Sequence, residues 1–102
     1  MPKGYWIGRV DVHNPEGYQP YTVNNPAIFA KFGAKFIVRG GKFEAPEGSA
    51  RSRNVVIEFP DYATAVACYR SPEYQQNMKI RQANAVADLV IVEGYDGPQP
   101  AD

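Results

Sequence analysis

Tyr69, Tyr74 and Arg81 are the residues of this sequence best placed to do chemistry together. Tyr74 and Arg81 stand about two turns apart on a helical stretch and so share a face, and Ser71-Pro72 bends the chain between the two tyrosines. With Trp6 or Tyr21 they can line an aromatic pocket whose one charged anchor is a guanidinium. That group pairs bidentately with carboxylates and steadies a developing oxyanion, so the pocket suits a small planar acid, a carbonyl compound or a phenol. The alternative is that the tyrosines are core aromatics with their hydroxyls at the edge, and that Arg81 pairs with Asp88 or Glu73.

Two other residue types bear on reactivity. His13, the one histidine, closes the first strand. Its ordinary pKa near 6.5 fits a general base in a cleft there, while its place at a turn equally fits a solvated side chain. Cys68 lies among Val66, Ala67 and Tyr69 with no histidine near it in sequence, which marks a small buried filler rather than a nucleophile. No phosphate-binding glycine loop with its lysine, dinucleotide fingerprint, serine-hydrolase elbow or pair of metal-ligating histidines is present. Neither a metal nor an organic cofactor is expected. Gly40-Gly41 fits a hairpin turn better than a phosphate cradle.

The scaffold holding these groups follows from period and punctuation. Gly4 to Val12 alternates, with Trp6, Val10 and Val12 on one side, and reads as a strand. Asn14-Pro15-Glu16 is a helix start, and the helical stretch continues to about Phe32. Pro20 and Pro26 inside it predict a kink or a break, with a restart capped by Asn25, and Gly33 is the stop. Lys35 to Arg39 is a second strand, Gly40-Gly41 a tight turn, and Lys42 to Ala45 its continuation, before an exposed loop over 46–52. Arg53 to Phe59 is the third strand. Asp61 caps a second helix that Ser71-Pro72-Glu73 restarts, and Ala87 to Glu93 is the last strand. The order β-α-β-β-α-β gives an α+β, ferredoxin-like protomer: a four-stranded antiparallel sheet with the helices on one face. The first and third strands are expected at its centre, parallel to each other.

Sorting the strand residues by alternation leaves a second apolar face. Trp6, Val10, Phe36, Val38, Val55, Ile57, Leu89 and Ile91 belong beneath the helices; Tyr5, Ile7, Arg9, Ile37, Arg39, Val56, Glu58, Val90 and Val92 point away. The outward set is too apolar to stand in water, and a second copy of the sheet is its simplest cover. Within it Arg9 and Arg39 flank Glu58, either as an ion-pair row locking the sheet or the dimer seam, or as groups that hold an anionic ligand.

Composition bounds the rest. The 102 residues carry 11 basic and 11 acidic side chains and are 44% hydrophobic, enough for one domain with a modest core. A neutral chain gives no electrostatic reason to expect nucleic acid or an anionic membrane as partner. One cysteine makes no internal disulfide, and Met1-Pro2-Lys3-Gly4-Tyr5 lacks the apolar run of a signal peptide, so a cytoplasmic protein is expected. A single domain over 1–94 is expected, followed by a loose Gly- and Pro-containing tail over 95–102.

Gly4-Tyr5-Trp6-Ile7, Phe36-Ile37-Val38-Arg39-Gly40-Gly41, Val56-Ile57-Glu58-Phe59-Pro60 and Tyr69-Arg70-Ser71-Pro72-Glu73-Tyr74-Gln75 through Arg81 together resemble a bacterial family. It is the domain of unknown function 1330, within the dimeric α+β barrel superfamily. The resemblance runs from about Lys3 to Gly94 and implies a ferredoxin-like protomer and a homodimer whose two sheets form a barrel. It implies no activity. Fold relatives include antibiotic-biosynthesis monooxygenases, muconolactone isomerases and small stress-responsive barrel proteins, a spread too broad for inference from fold alone.

Three functions are therefore open. One is a cofactor-independent enzyme, isomerase-like or monooxygenase-like, on a small carbonyl or phenolic metabolite, with Arg81 or Arg39 stabilising charge and a tyrosine or His13 moving a proton. Catalytic candidates are then Tyr69, Arg81 and His13, with Arg39, Tyr74, Trp6, Tyr21 and Glu58 as ligand contacts. The others are a non-catalytic dimer that binds a small acid, and a stress-related structural dimer without a ligand.

Overall fold

In the computed structural model, which describes residues 2–101, the alternating N-terminal segment is β1 (Gly4–Val12). It is followed by α1 (Pro15–Ala30), β2 (Lys35–Arg39), β3 (Arg53–Phe59), α2 (Tyr62–Arg70), α3 (Pro72–Asn84) and β4 (Ala85–Glu93). Met1 and Asp102, the outer ends of the domain and tail read from the sequence, lie outside the described residues. Each helix begins where a side chain satisfies its first free amides. Asn14 accepts from Gly17 N, Asp61 from Thr64 N at 2.7 Å, and Ser71 from Tyr74 N. Ser71 also ends α2, so the second helical stretch is two helices meeting at one residue.

The sheet order is β2-β3-β1-β4, with every neighbouring pair antiparallel. β1 and β3 are central, as expected, but antiparallel. The parallel pairs are β1 with β2 and β3 with β4, each split by a strand of the other β-α-β unit. This corrects the expected parallel centre: interleaving two crossover units puts a reversed strand between each parallel pair.

Three local expectations are also corrected. α1 is one continuous helix through Pro20 and Pro26. Both prolines face water, so the carbonyls of Glu16 and Thr22 that lose their amide donors can be solvated. Meanwhile Tyr18, Tyr21, Asn25, Ile28 and Phe29 are buried at helical spacing. Asn25 is therefore not a cap. Its side chain accepts from Asn77 Nδ2 at 2.8 Å, and that same nitrogen reaches the Tyr21 carbonyl, tying α1 to α3.

Gly40-Gly41 is not a tight hairpin. Gly40 alone takes a left-handed conformation (φ 66°), and an exposed loop over 40–52 joins β2 to β3. Its end is strapped across the sheet face away from the helices. Arg9 Nη2 donates to the Ser49 carbonyl at 2.8 Å, and Ser52 N donates to Asp11. Arg51 bridges Asp88 at 2.8 Å and Asp11 at 2.9 Å.

The third correction is a bulge in β2. Phe36 pairs with Ile57, but Val38 pairs with Val56 and Arg39 with Val55, so one extra residue lies between Phe36 and Val38. The extra residue reverses the alternation. Arg39 joins Phe36 on the helix side, its guanidinium 4.2 Å from the Phe36 ring centre, and Val38 turns outward. The expected Arg9–Glu58–Arg39 row does not form: Glu58 accepts instead from Tyr5 Oη at 3.1 Å and pairs in register with Lys35.

The core is aromatic and centred on Trp6. Its ring packs against Tyr74 at 4.8 Å, Phe29 at 5.2 Å, Phe59 at 5.3 Å and Tyr69 at 5.8 Å, and its Nε1 donates to the Ala65 carbonyl at 2.9 Å. A buried indole with a satisfied N–H fixes α2 and α3 over the sheet. Among the described residues, no helix is long and apolar enough to cross a membrane.

Candidate functional site

A cleft of about 60 Å³ opens between the helix side of the sheet and helices α1 and α3. Gly8, Val55 and Ile57 form its floor, and Trp6, Phe29 and Phe36 form aromatic walls. Polar groups enter from three directions. Tyr18 and Tyr21 come from α1, Tyr74 and Arg81 from α3, and Arg39 and Arg53 from the sheet.

The tyrosines are arranged rather than merely buried. Tyr21 and Tyr74 bring their hydroxyls to 2.6 Å, with Tyr74 only 1% exposed. Burial pushes the Tyr74 hydroxyl far above the ordinary tyrosine range, Tyr21 reinforces the shift, and the Arg81 charge pulls it only partly back. Tyr74 is thus a fixed, neutral donor or acceptor. Tyr18 is also shifted upward by burial and by Tyr21, against the opposing charges of Arg53 and Arg81.

Arg81 stands 5.9 Å from the centre of the Tyr21 ring. Burial disfavours its charge, but the Tyr74 and Tyr21 oxygens outweigh that penalty and hold the guanidinium protonated. Neither carboxylate expected to neutralise it does so, since Glu73 lies 3.6 Å from Lys31 and Asp88 is held by Arg51. Among the described residues, Arg39, Arg53 and Arg81 make no ion pair.

Of the residues singled out from the sequence, Trp6, Tyr21, Arg39, Tyr74 and Arg81 meet in this cleft. Three stand elsewhere. Tyr69 is in the core, its ring 5.6 Å from Tyr74 and its hydroxyl directed at Met78 Sδ. Glu58 is on the opposite face of the sheet with Tyr5. His13 is exposed at the end of β1 and does not line the cleft. Cys68 is fully buried, and burial pushes its thiol up to about 12, so it carries no thiolate at neutral pH.

Sequence reasoning passed over Arg53 and Tyr18. The signal for Arg53 was present: counting back from Phe59 by twos through Ile57 and Val55 reaches it on the helix side. Tyr18 lies one turn before Tyr21 and shares its face. Among the described residues, no three His, Cys, Asp or Glu side chains stand together as a metal site.

A profile of the domain of unknown function DUF1330 matches residues 3–95. The fold is also that of several solved structures. A protein of unknown function from Rhodopseudomonas palustris, RPA0582, is 19% identical at a TM-score of 0.72, over 94% of this chain and 85% of that one. SnoaB, a cofactor-independent oxygenase from Streptomyces nogalater, is 14% identical at a TM-score of 0.65, over 98% of this chain and 99% of its own. A NIPSNAP domain protein from Burkholderia xenovorans is 15% identical at a TM-score of 0.54, over 98% and 96%. Likenesses at this identity show a shared α+β fold. No curated protein matches the chain.

Proposed function

The chain belongs to the family of the domain of unknown function DUF1330, and we propose that its helix–sheet cleft binds a small planar carbonyl or phenolic compound and stabilises negative charge on its oxygen. The observation that carries this is Arg81, a partly buried guanidinium without a carboxylate partner among the described residues, set 5.9 Å from the centre of the Tyr21 ring in an aromatic cleft that also holds the Tyr21–Tyr74 hydroxyl pair. A fixed cation in a partly desolvated site stabilises an enolate or phenolate far better than water does. The catalysis is isomerase-like or oxygenase-like and independent of a cofactor. In the first case a proton leaves one carbon and returns to another while the electron pair rests on the oxygen facing Arg81. In the second, the bound enolate or phenolate itself reduces dioxygen: its carbon gains one oxygen atom, and the other leaves as water with the two hydrogens lost from the substrate. Tyr18 or Tyr21 donates a hydrogen bond to the oxygen facing Arg81, and in the first case water takes up the carbon proton and returns it. The likeness to SnoaB, a cofactor-independent oxygenase, supports this at the level of fold.

In the working protein a second copy covers the open sheet face. Support comes from the exposure there of Ile7, Ile37, Val90 and Val92, the last two at 57% and 42%.

Calorimetric titration with phenol and simple aromatic ketones tests the cleft. Saturable binding is expected, weakened at least about tenfold by Arg81→Met. Absence of saturable binding by every compound sinks the proposal. Turnover of a bound compound that is lost in Tyr21→Phe with binding retained marks a catalyst. Binding without turnover marks the alternative, a non-catalytic binder of small acids.

A further inference from the structure

Arg39 and Arg53 are two positive side chains on neighbouring strands of one sheet face. The bulge in β2 sets Arg39 opposite Val55, and Arg53 is the next residue of β3 on that same face. They are therefore diagonal neighbours across adjacent strands, about 7–8 Å apart and within reach of each other's side chains. Gly40 shapes this corner. Its positive φ takes the chain out of β2, and a methyl group there would stand 2.8 Å from Arg53 Nη1. The missing side chain lets the Arg53 guanidinium lie close against the backbone.

Two adjacent guanidiniums repel, and nearby carboxylates usually relieve such pairs. Here Asp11 and Asp88 are both taken by Arg51 on the other side of the sheet, and Glu58 is held by Tyr5. Both arginines line the same cleft as Arg81. Tyr18 lies within electrostatic reach of both Arg53 and Arg81, so the sheet-side charges and the helix-side charge border one space.

The geometry points to a ligand with two electron-rich ends, a phenolic or oxo acid whose carboxylate is clamped by Arg39 and Arg53 while its phenolic or keto oxygen faces Arg81. This rests on the cleft reading above and adds the second anchor. The class follows from the chemistry of the walls: two guanidiniums match a carboxylate, and flat aromatic sides match a conjugated body.

The test compares phenol, benzoate and 4-hydroxybenzoate by calorimetric titration of the full chain. The wild-type protein is expected to bind 4-hydroxybenzoate at least about tenfold more tightly than either single-ended compound. Arg53→Gln and, separately, Arg39→Gln should abolish its advantage over phenol when both compounds are titrated into the same variant. Arg81→Met should abolish its advantage over benzoate. Arg39 is exposed, so its replacement tests the clamp even if Arg53→Gln fails to fold. If phenol binds and the added carboxylate brings no gain, or if the gain survives both glutamine variants, the clamp is refuted and the cleft reading stands. If none of the three binds, both fall.

Discussion

The phenolic oxygens of Tyr21 on α1 and Tyr74 on α3 lie 2.6 Å apart, and both residues line the cleft together with Arg81. Each hydroxyl has the other as its partner, so Tyr21→Phe and Tyr74→Phe remove the same bond. Each variant should lose about 1–2 kcal/mol of stability, and the double variant less than the sum. Urea denaturation of the four proteins measures the coupling, and strictly additive losses would show that the bond contributes nothing.

Alkali should unfold the protein through groups that cling to their protons. Cys68 and Tyr74 both have folded pKa values raised by burial, from 9.0 to about 12 for the thiol and well above 10.0 for the phenol. Below those unfolded values their contribution is complete. As pH rises past them the unfolded chain releases protons that the folded chain keeps, and stability falls. For Cys68 the window runs from 9.0 to about 12. Unfolding midpoints followed upward from about pH 8 should decline, and Cys68→Ala should flatten the first part of the decline. A midpoint constant across that window would contradict the burial of both groups.

The strap on the open sheet face should be separable from global stability. Arg51→Ala removes two exposed or half-exposed ion pairs, to Asp11 and Asp88, and should leave the global unfolding free energy nearly unchanged. The 40–52 loop should nonetheless become easier to cleave by a non-specific protease. Acid should act in the same direction. The Ser52 amide, then Arg51, holds the Asp11 carboxyl below its ordinary 3.8, so the strap is intact above that value and is lost as pH falls through the depressed one. Unchanged cleavage in the variant would mean that the loop is held by other contacts.

A second copy on the open face requires its apolar patch around Ile7 and Val90 to take no added charge. Val90→Glu places a carboxylate at an outward position of β4, beside Ile7 in the register. Light scattering should show a wild-type dimer at micromolar concentration and a monomeric variant. A wild-type monomer would remove the barrel.

Much of the scaffold could be read in advance because its signals are local. Asn14-Pro15, Asp61 and Ser71-Pro72 each combine a capping oxygen with a helix start, and β1 alternates without interruption. The site was half legible. Tyr74 and Arg81 share a helix face by spacing alone, and Trp6 and Tyr21 join them because both belong to the only core a chain this short can build. What failed depends on contacts distant in sequence. Phe36-Ile37-Val38 is an unbroken apolar run, so polarity does not say which of the three faces the helices, and nothing in them announces a bulge; only pairing against β3 reveals it. That one shift moved Arg39 into the cleft and dissolved its expected row with Glu58. α1 runs unbroken through Pro26 because buried neighbours and the Asn25–Asn77 bond outweigh the local penalty of a proline.

Trp6 is the chain's single tryptophan, and its ring belongs at once to the packed core and to the wall of the cleft. Nearly all ultraviolet emission of the folded protein excited at the indole band therefore originates at one place, 2% exposed and in contact with whatever fills the cavity. The protein is in effect its own optical gauge. An occupant that stacks on or drains energy from that ring dims a signal with no competing source, so an unlabelled library can be surveyed by eye of the fluorimeter alone.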